Sequence, residues 1–277
     1  MAAEGVPYGD VVRLGDARVS FHPAGHVFGS AQVRIEAGGA VWVVSGDYKR
    51  APDPTCAPFE VVACDTFVTE ATFALPIYRW GHPERVAREV LAWWDHCAAG
   101  RRAAVLYCYA LGKAQRILAE LARLIPGRDR AVLTHGMVEP LVSIYREAGV
   151  PMLPTRPLID LPKKASIAGD LVLAPILARG TPWTRRFGDH ETAFASGFMR
   201  LREHRQQRTV DRGFVLSDHA DWQALLDTIA ATGAHRVLAT HGYAQVLARH
   251  LREARGLDTG VLETRFEGEA DAAAEVA

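Results

Sequence analysis

SFHPAGHVFGSAQVRIEAGGAVWVVSGDYKR, the segment from Ser20 to Arg50, contains two apolar, β-rich runs, Ala31 to Ile35 and Val41 to Val44, joined by a pair of glycines. This pattern predicts a β-hairpin. His26 precedes the first strand and Asp47 follows the second. Because the start of one antiparallel strand lies beside the end of the next, we expect both side chains at one edge of a sheet. An imidazole and a carboxylate held there are suitable ligands for a catalytic metal ion.

Taken alone, these two residues also have an ordinary interpretation, namely a hydrogen-bonded histidine and an aspartate in a turn. Two further segments favour the metal site. Ser217-Asp218-His219 follows one apolar, strand-like run, and Thr240-His241 follows another. Each segment stands just before a helical pattern, so the chain repeats the arrangement of a polar residue at the end of a strand.

In this order, the segments resemble the metallo-β-lactamase superfamily, and within it the β-CASP nucleases. That group includes RNA 3′-end processing endonucleases and the bacterial ligase-associated DNA exonucleases. The resemblance covers nearly the whole chain. The third and fourth metal motifs of the family match Ala24–Ser30 and Ser45–Tyr48, and its three β-CASP motifs match Glu70 (in Thr69 to Phe73), His219 and His241.

The resemblance implies a role for each of these side chains in a site with two Zn²⁺ ions. Asp47 is the carboxylate that bridges the ions, His26 is a ligand of the first ion and His241 a ligand of the second. His219 contacts the scissile phosphate or protonates the leaving oxygen. Glu70 is its partner, which fixes the tautomer of the imidazole and favours its protonated form.

One family motif is missing from the sequence. The main metal motif, His-x-His-x-Asp-His, lies upstream of the third motif in the family, and this chain starts too late to contain it. We therefore expect an N-terminally truncated αββα sandwich that is metal-poor and inactive or nearly so, because three ligands shared by two ions compete poorly with water. Elemental analysis of the purified chain, and translation of the DNA upstream of Met1 in the same frame, check this expectation.

The middle of the chain has a different organisation. A helical pattern begins at Pro83, and buried strands at Ala103 to Tyr107 and Ala131 to Thr134 alternate with two more helices. A β-α-β-α-β alternation predicts a parallel sheet with helices on its faces. By resemblance this is the inserted α/β β-CASP domain, at residues 75–212, and a partial metallo-β-lactamase domain comprises residues 1–74 and 213–277.

Two segments of the inserted domain are candidates for substrate binding. Lys113 opens a helix directly after a glycine and can hold a phosphate, although a helix start of this kind is common in structural settings. Ser196, Gly197 and Arg200 resemble the Ser-Gly loop that lies near the substrate backbone in the family. They lie within 179–212, a segment with eight arginines and four acidic residues. Such a composition is found both in nucleic-acid-binding surfaces and in solvated helix faces.

Composition sets wider limits. The 277 residues are 49% hydrophobic and carry no net charge, which excludes a uniformly basic protein but leaves room for a local basic surface. The four cysteines show no C-x-x-C spacing and are predicted to be buried, reduced thiols. Neither a leader nor an apolar run of the roughly twenty residues that a membrane span needs is found, so we expect a cytoplasmic protein. The acidic tail from Glu263 is expected to be frayed.

Three functions remain open at this point. The first is a metal-dependent phosphodiester hydrolase, either a DNA exonuclease in ligase-associated repair or an RNA-processing nuclease of the same fold. An ATP-dependent DNA ligase and a helicase are the partners that the resemblance implies. The second is a catalytically dead form that still binds nucleic acid. The third, a hydrolase of small thioesters or lactones, is disfavoured because a small substrate needs no second domain.

Overall fold

The computed structural model describes residues 4–127, 131–162, 164–201 and 210–263. The chain forms two compact units, one built from Met1–Arg79 and Asp218–Ala277 and the other from Trp80–Ser217. These bounds lie a few residues beyond the domain boundaries that the sequence predicts. The division into a metallo-β-lactamase domain and an inserted β-CASP domain stays a prediction.

Strands and helices are numbered here in chain order. The strands are β1 (Val11–Leu14), β2 (Ala17–Pro23), β3 (Ala31–Ala37), β4 (Ala40–Val44), β5 (Thr66–Glu70), β6 (Ala103–Tyr107), β7 (Val132–Thr134), β8 (Thr155–Pro157), β9 (Leu171–Ala174), β10 (His190–Ala195), β11 (Arg212–Phe214), β12 (Arg236–Thr240) and β13 (Asp258–Leu262). The α-helices are α1 (Pro83–Ala99), α2 (Lys113–Leu124), α3 (Glu139–Glu147), α4 (Trp222–Thr232) and α5 (Ala244–Arg255).

The first unit contains a seven-stranded mixed sheet in the order β1-β2-β3-β4-β5-β12-β13. The first four strands are antiparallel neighbours, whereas β4, β5, β12 and β13 run parallel to one another. The predicted hairpin is confirmed as β3 and β4. Gly38 and Gly39 both have positive φ, at 59° and 79°, which the tight connection requires and which only glycine adopts at little cost.

One face of this sheet is covered by α4 and α5. Its core includes side chains from β4, β5 and β12 that pack against Trp222, Leu225 and Leu247 of the two helices. The other face presents apolar side chains in register across β2, β3 and β4, namely Val19, Ile35 and Trp42 in one row and Phe21, Val33 and Val44 in the next. None of these six is fully buried. Among the described residues this unit holds a single sheet, so the αββα sandwich of two sheets stays a prediction.

The second unit contains a six-stranded sheet in the order β11-β10-β6-β9-β7-β8, and all its strand pairs are parallel. The prediction of a parallel sheet is confirmed. Alternate residues of β6 enter two different cores: Ala104 and Leu106 pack with α1 and α2, whereas Val105 and Tyr107 pack on the opposite face. A parallel sheet buried on both faces explains why β6 is apolar throughout.

Some elements and side chains differ from the sequence predictions. β13, which pairs with β12 at the edge of the first sheet, was not predicted. None of the four cysteines forms a disulfide, but Cys56 is only half-buried, so the prediction of buried thiols is wrong there. Burial raises the pKa of the Cys64 thiol to about 11, which keeps it protonated and unreactive at neutral pH.

Several predictions fall on residues outside the described ranges. They include the frayed tail beyond Glu263 and much of the arginine-rich run, at 202–209. Among the described residues, no helix has both the length and the apolar composition needed to cross a bilayer.

The N-terminal cap of α4 offers a test of the fold. The Asp221 carboxylate accepts a hydrogen bond of 2.9 Å from the backbone N–H of Ala224. Asp221→Ala should lower the free energy of unfolding by about 1 kcal/mol, because it leaves a donor of the first turn unsatisfied. Urea denaturation measures the change. Asp227→Ala, at an exposed position on the same helix, is the control and should change the free energy by less than about 0.5 kcal/mol.

Candidate metal centre

All five side chains predicted for the metal centre and its acid–base pair meet at one edge of the seven-stranded sheet. Asp47 lies on the loop after β4, Glu70 ends β5, and His241 follows β12 directly. These strands are parallel, and Glu70 pairs with the last residue of β12, so their carboxyl ends share that edge. His26 lies on the loop that leads into the antiparallel β3, and this loop opens on the same edge. His219 lies on the loop before α4.

The Asp47 carboxylate lies between two imidazoles. Its Oδ1 is 3.2 Å from Nε2 of His241, and its Oδ2 is 4.0 Å from Nε2 of His26. Two ligand atoms of one tetrahedral zinc ion lie about 3.3 Å apart, given bonds of about 2.0 to 2.1 Å. The His241 distance matches this value, and the His26 distance is longer by about 0.7 Å. Each oxygen of Asp47 therefore faces a different imidazole at a separation that a shared ion can bridge.

A second observation concerns the orientation of His26. Its Nδ1 lies 2.8 Å from the backbone carbonyl oxygen of Asp218. A carbonyl only accepts hydrogen bonds, so Nδ1 carries the hydrogen, and in the neutral ring Nε2 has the free lone pair. Nε2 is the atom that faces Asp47. A histidine ligand of a metal ion has this arrangement, with the distal nitrogen held by a carbonyl or carboxylate.

Glu70 and His219 form a buried pair beside the carboxylate of Asp47. The His219 Nδ1 lies 3.0 and 2.9 Å from Oε1 and Oε2 of Glu70, and each residue is 1% exposed. The backbone N–H of Tyr48 also donates to Glu70 Oε1, at 2.8 Å. The carboxylate thus fixes Nδ1 as the protonated nitrogen of His219. A histidine held in this way can pass a proton from Nε2, as in other acid–base pairs.

Two overlapping sets of side chains in the described part of the chain have the geometry to hold an ion. One consists of His26, Asp47 and His219, and the other of Asp47, Glu70 and His241, with ligand atoms within 4.8 Å of one another in each set. Asp47 belongs to both, as a bridging carboxylate would. His219 and Glu70 are therefore candidates for metal ligands as well as for an acid–base pair.

The backbone beside two of the histidines needs glycine. A Cβ on Gly242 would lie 2.5 Å from the carbonyl oxygen of Ala71, and one on Gly25 would lie 2.5 Å from that of Lys49. Both glycines have positive φ, at 58° and 70°. His241 itself has a φ of 40°, a conformation that residues other than glycine rarely adopt. Such strain persists where surrounding contacts require it, and it places the His241 imidazole against Asp47.

The electrostatics of the site favour an ionised Asp47. Burial of its carboxyl group opposes ionisation, but the hydrogen bond from His241 and the nearby imidazoles of His219, His26 and His241 outweigh burial and hold its pKa at about 2. A carboxylate that stays ionised among imidazoles is the donor set that zinc prefers. The side chains present therefore fit a zinc ion, with two imidazole nitrogens and one carboxylate as the predicted ligands.

The sequence analysis missed the polar contacts that surround these ligands. Lys49 and the side chain of Asp53 are buried near His26. The carbonyl of Asp218 accepts a hydrogen bond from His26, and the N–H of Tyr48 donates one to Glu70. The only sequence signal for Lys49 was its place two residues after Asp47. A lysine in a loop is normally exposed, so no pattern indicated its burial.

The predicted substrate-binding residues lie in the second unit. Lys113 begins α2 and is buried, with its ammonium 4.5 Å from the centre of the Tyr109 ring. Ser196 is buried too, and its hydroxyl accepts a hydrogen bond from the N–H of Phe198 at the start of a 3₁₀ turn, Gly197–Arg200. Gly197 is buried in that turn and Arg200 is exposed. Their contacts with substrate stay predictions.

Comparison with known proteins supports the family resemblance. The chain is 32% identical over 256 residues to a protein of Opitutus terrae named "Probable DNA ligase", a match that covers 91% of this chain and 24% of that protein. It is 29% identical over 120 residues to "Endoribonuclease ysh1" of Emericella nidulans, which covers 42% of this chain and 13% of that one. The chain thus spans about a quarter of the length of the first relative. No family model matches it.

A solved structure shares the fold. The crystal structure of an Enterococcus faecalis protein of unknown function superimposes with a TM-score of 0.60 over 95% of this chain and 66% of that chain, at 13% sequence identity. This likeness concerns the fold alone. The sequence relatives and the ordered motifs together show that the chain is related to the β-CASP nucleases of the metallo-β-lactamase superfamily.

Asp47 faces both imidazoles, so its replacement tests the metal centre directly. Asp47→Asn should weaken Zn²⁺ binding by more than the ten- to hundredfold that is typical for loss of an outer contact, because the charge and the bridge are both lost. Equilibrium dialysis with elemental analysis measures the change. Asp258→Asn, an exposed carboxylate of the same unit, is the matched control. Equal zinc binding by the two variants would contradict the assignment.

Proposed function

We propose that the protein is a metal-dependent phosphodiester hydrolase that acts on nucleic acid. The observation that supports this most directly is the position of Asp47, with each carboxylate oxygen facing a different imidazole beside the buried Glu70–His219 pair. A two-metal hydrolase needs a bridging carboxylate, separate ligands for each ion and an adjacent proton donor. The site contains a candidate for each of these parts.

The side chains have distinct tasks in this proposal. Asp47, His26 and His241 hold zinc, which when bound activates water and neutralises charge on the phosphate. His219 delivers a proton from Nε2 to the leaving oxygen. Glu70 accepts a hydrogen bond from Nδ1–H of His219, and its negative charge stabilises the imidazolium until the Nε2 proton is transferred. The low exposure of Glu70 and His219 strengthens this interaction, because little water screens it.

DNA and RNA are both candidate substrates. The Opitutus relative is named for DNA ligation, and this favours a DNA exonuclease that processes ends in repair together with an ATP-dependent DNA ligase. The Emericella relative is named an endoribonuclease, and this favours RNA processing equally. A helicase partner is supported by the family resemblance alone. We also propose a cytoplasmic location, because both kinds of substrate lie inside the cell.

The test compares the two substrates under conditions that load a weak site. The purified protein is incubated with excess Zn²⁺ or Mn²⁺ and with end-labelled DNA or RNA strands of the same sequence, and products are resolved on denaturing gels. Cleavage that stops on chelation and in Asp47→Asn supports the proposal, and the preferred strand identifies the substrate. Release of single nucleotides indicates an exonuclease, whereas internal fragments indicate an endonuclease.

Binding without cleavage is the second candidate function. His26, Asp47 and His241 are three predicted ligands for two ions, whereas a catalytic zinc ion normally has three protein ligands of its own. Fluorescence anisotropy with the same strands measures affinity independently of activity. Tight binding without metal-dependent cleavage would indicate a nucleic-acid-binding form. A protein that binds neither metal nor either of the two strands would refute both candidate functions.

Replacement of His219 separates a proton donor from a ligand. In protein whose metal site is loaded, His219→Ala should leave the zinc content nearly unchanged and slow cleavage by about a hundredfold or more, the usual scale for a general acid. Single-turnover assays and elemental analysis provide the two measurements. His235→Ala, an exposed histidine of the same unit, is the control. Loss of zinc together with activity would show that His219 is instead a ligand.

A further inference from the structure

A buried cluster of charged side chains lies next to His26. Lys49 donates a hydrogen bond of 2.5 Å to Oδ2 of Asp53, and its ammonium lies 3.8 Å from Oδ1 of Asp218. The three side chains are 1%, 4% and 5% exposed. Asp53 is further held by the N–H and hydroxyl groups of Thr55, which donate to its Oδ1. One cation thus faces two carboxylates away from water.

Lys49 connects the loops that carry three of the site residues. Its backbone lies two residues after Asp47 on the loop that follows β4. Its ammonium is 3.4 Å from the carbonyl oxygen of His26, and it pairs with Asp218, the residue before His219. The carbonyl of Asp218 in turn accepts the hydrogen bond from Nδ1 of His26. A single side chain therefore contacts both residues that form the hydrogen bond orienting His26, through the His26 carbonyl and the Asp218 carboxylate.

Stability alone gives a poor explanation for this cluster. Buried charges lose their hydration, and well-packed apolar side chains of similar volume often stabilise a protein equally well or better. What an ammonium adds is directional contact with several oxygens at once. The oxygens here belong to the segments of His26 and Asp218, which set the direction of the His26 imidazole.

We propose that Lys49 is a positioning residue of the candidate metal centre: it holds the Asp218 and His26 segments together, so that Nδ1 of His26 keeps its hydrogen and Nε2 presents its lone pair to Asp47. This inference rests on the proposed function only in calling the site a metal centre. The hydrogen-bond geometry that it explains is a property of the metal-free chain.

The first experiment measures the orientation of His26 without metal. Long-range ¹H–¹⁵N spectra of histidine-labelled protein, recorded above the titration range of imidazole, report which ring nitrogen carries the hydrogen. His26→Gln identifies the signals. The natural chain should show the single tautomer with hydrogen on Nδ1, whereas Lys49→Met should populate both tautomers. Lys49→Arg, which keeps the charge, should restore much of the natural pattern. Lys164→Met, at an exposed lysine of the second unit, should leave the His26 signals unchanged.

The second experiment measures metal affinity. Co²⁺ titrations followed by visible absorption should show a ten- to hundredfold weaker affinity in Lys49→Met, the range for loss of an outer contact to a metal ligand. Thermal melting of the metal-free variants reports stability separately. A merely structural lysine would change the melting temperature but neither the tautomer nor the Co²⁺ affinity of the folded protein.

The outcomes separate this inference from the proposed function. Lys49→Met leaves two buried carboxylates without their cation, and a variant of this kind can fail to fold. In that case the double variant Lys49→Met/Asp53→Asn, which restores the net charge of the cluster, replaces the single variant in both experiments. Unchanged tautomer in either variant overturns the inference, even when metal binds and nucleic acid is cleaved. A mixed tautomer supports it, even when the natural chain binds no metal, an outcome that would overturn the proposed function instead.

Discussion

The contact of the Asp47 carboxylate with two imidazoles depends on the register of the central strands. Val44 of β4 pairs with Val68 of β5, and Glu70 at the end of β5 pairs with Thr240 of β12. These pairings bring the loops after β4 and β12 to the same edge. A slip of one residue would turn the Glu70 side chain to the opposite face of the sheet and separate it from His219. Register is therefore the constraint that the rest of the site requires.

The edge of the sheet also concentrates ionisable groups at low exposure. Glu70 and His219 form one buried pair, and Lys49 with its two carboxylates forms another group nearby. Such groups cost free energy when they leave water, and that cost is offset only where geometry and hydrogen bonds are good. In return, they hold the candidate acid–base and ligand side chains in fixed positions. Preorganised charge of this kind is a large contribution to catalysis in hydrolases.

Relationship and activity are separate questions for this chain. The Opitutus relative matches 91% of the chain, yet this match spans only 24% of that protein, and the shared fold with the Enterococcus protein comes at 13% identity. A fold accommodates many activities, and the site determines which one is present. What argues for phosphodiester hydrolysis is therefore the set of residues around Asp47. The choice between DNA and RNA depends on surfaces that the metal centre does not define.

The amino-acid sequence by itself determined the local elements and the list of candidate residues. The glycine pair predicted the β3–β4 hairpin, the helical pattern after Ser217-Asp218-His219 predicted α4, and the β-α alternation predicted the parallel sheet of the second unit. These features depend on neighbours within a few residues, which is why periodicity and turn chemistry reveal them. The motif order named Asp47 and its companions but gave no distances between them.

Only the tertiary structure decided which strands are neighbours and which polar groups are buried. β5 pairs with β12 across more than 160 residues, the short β13 completes the edge, and Lys49 lies inside the protein although its loop position predicts exposure. Each of these depends on partners that are distant in the chain. The free energy of pairing a strand or burying a charge depends on those partners rather than on the local pattern, so local sequence could not specify them.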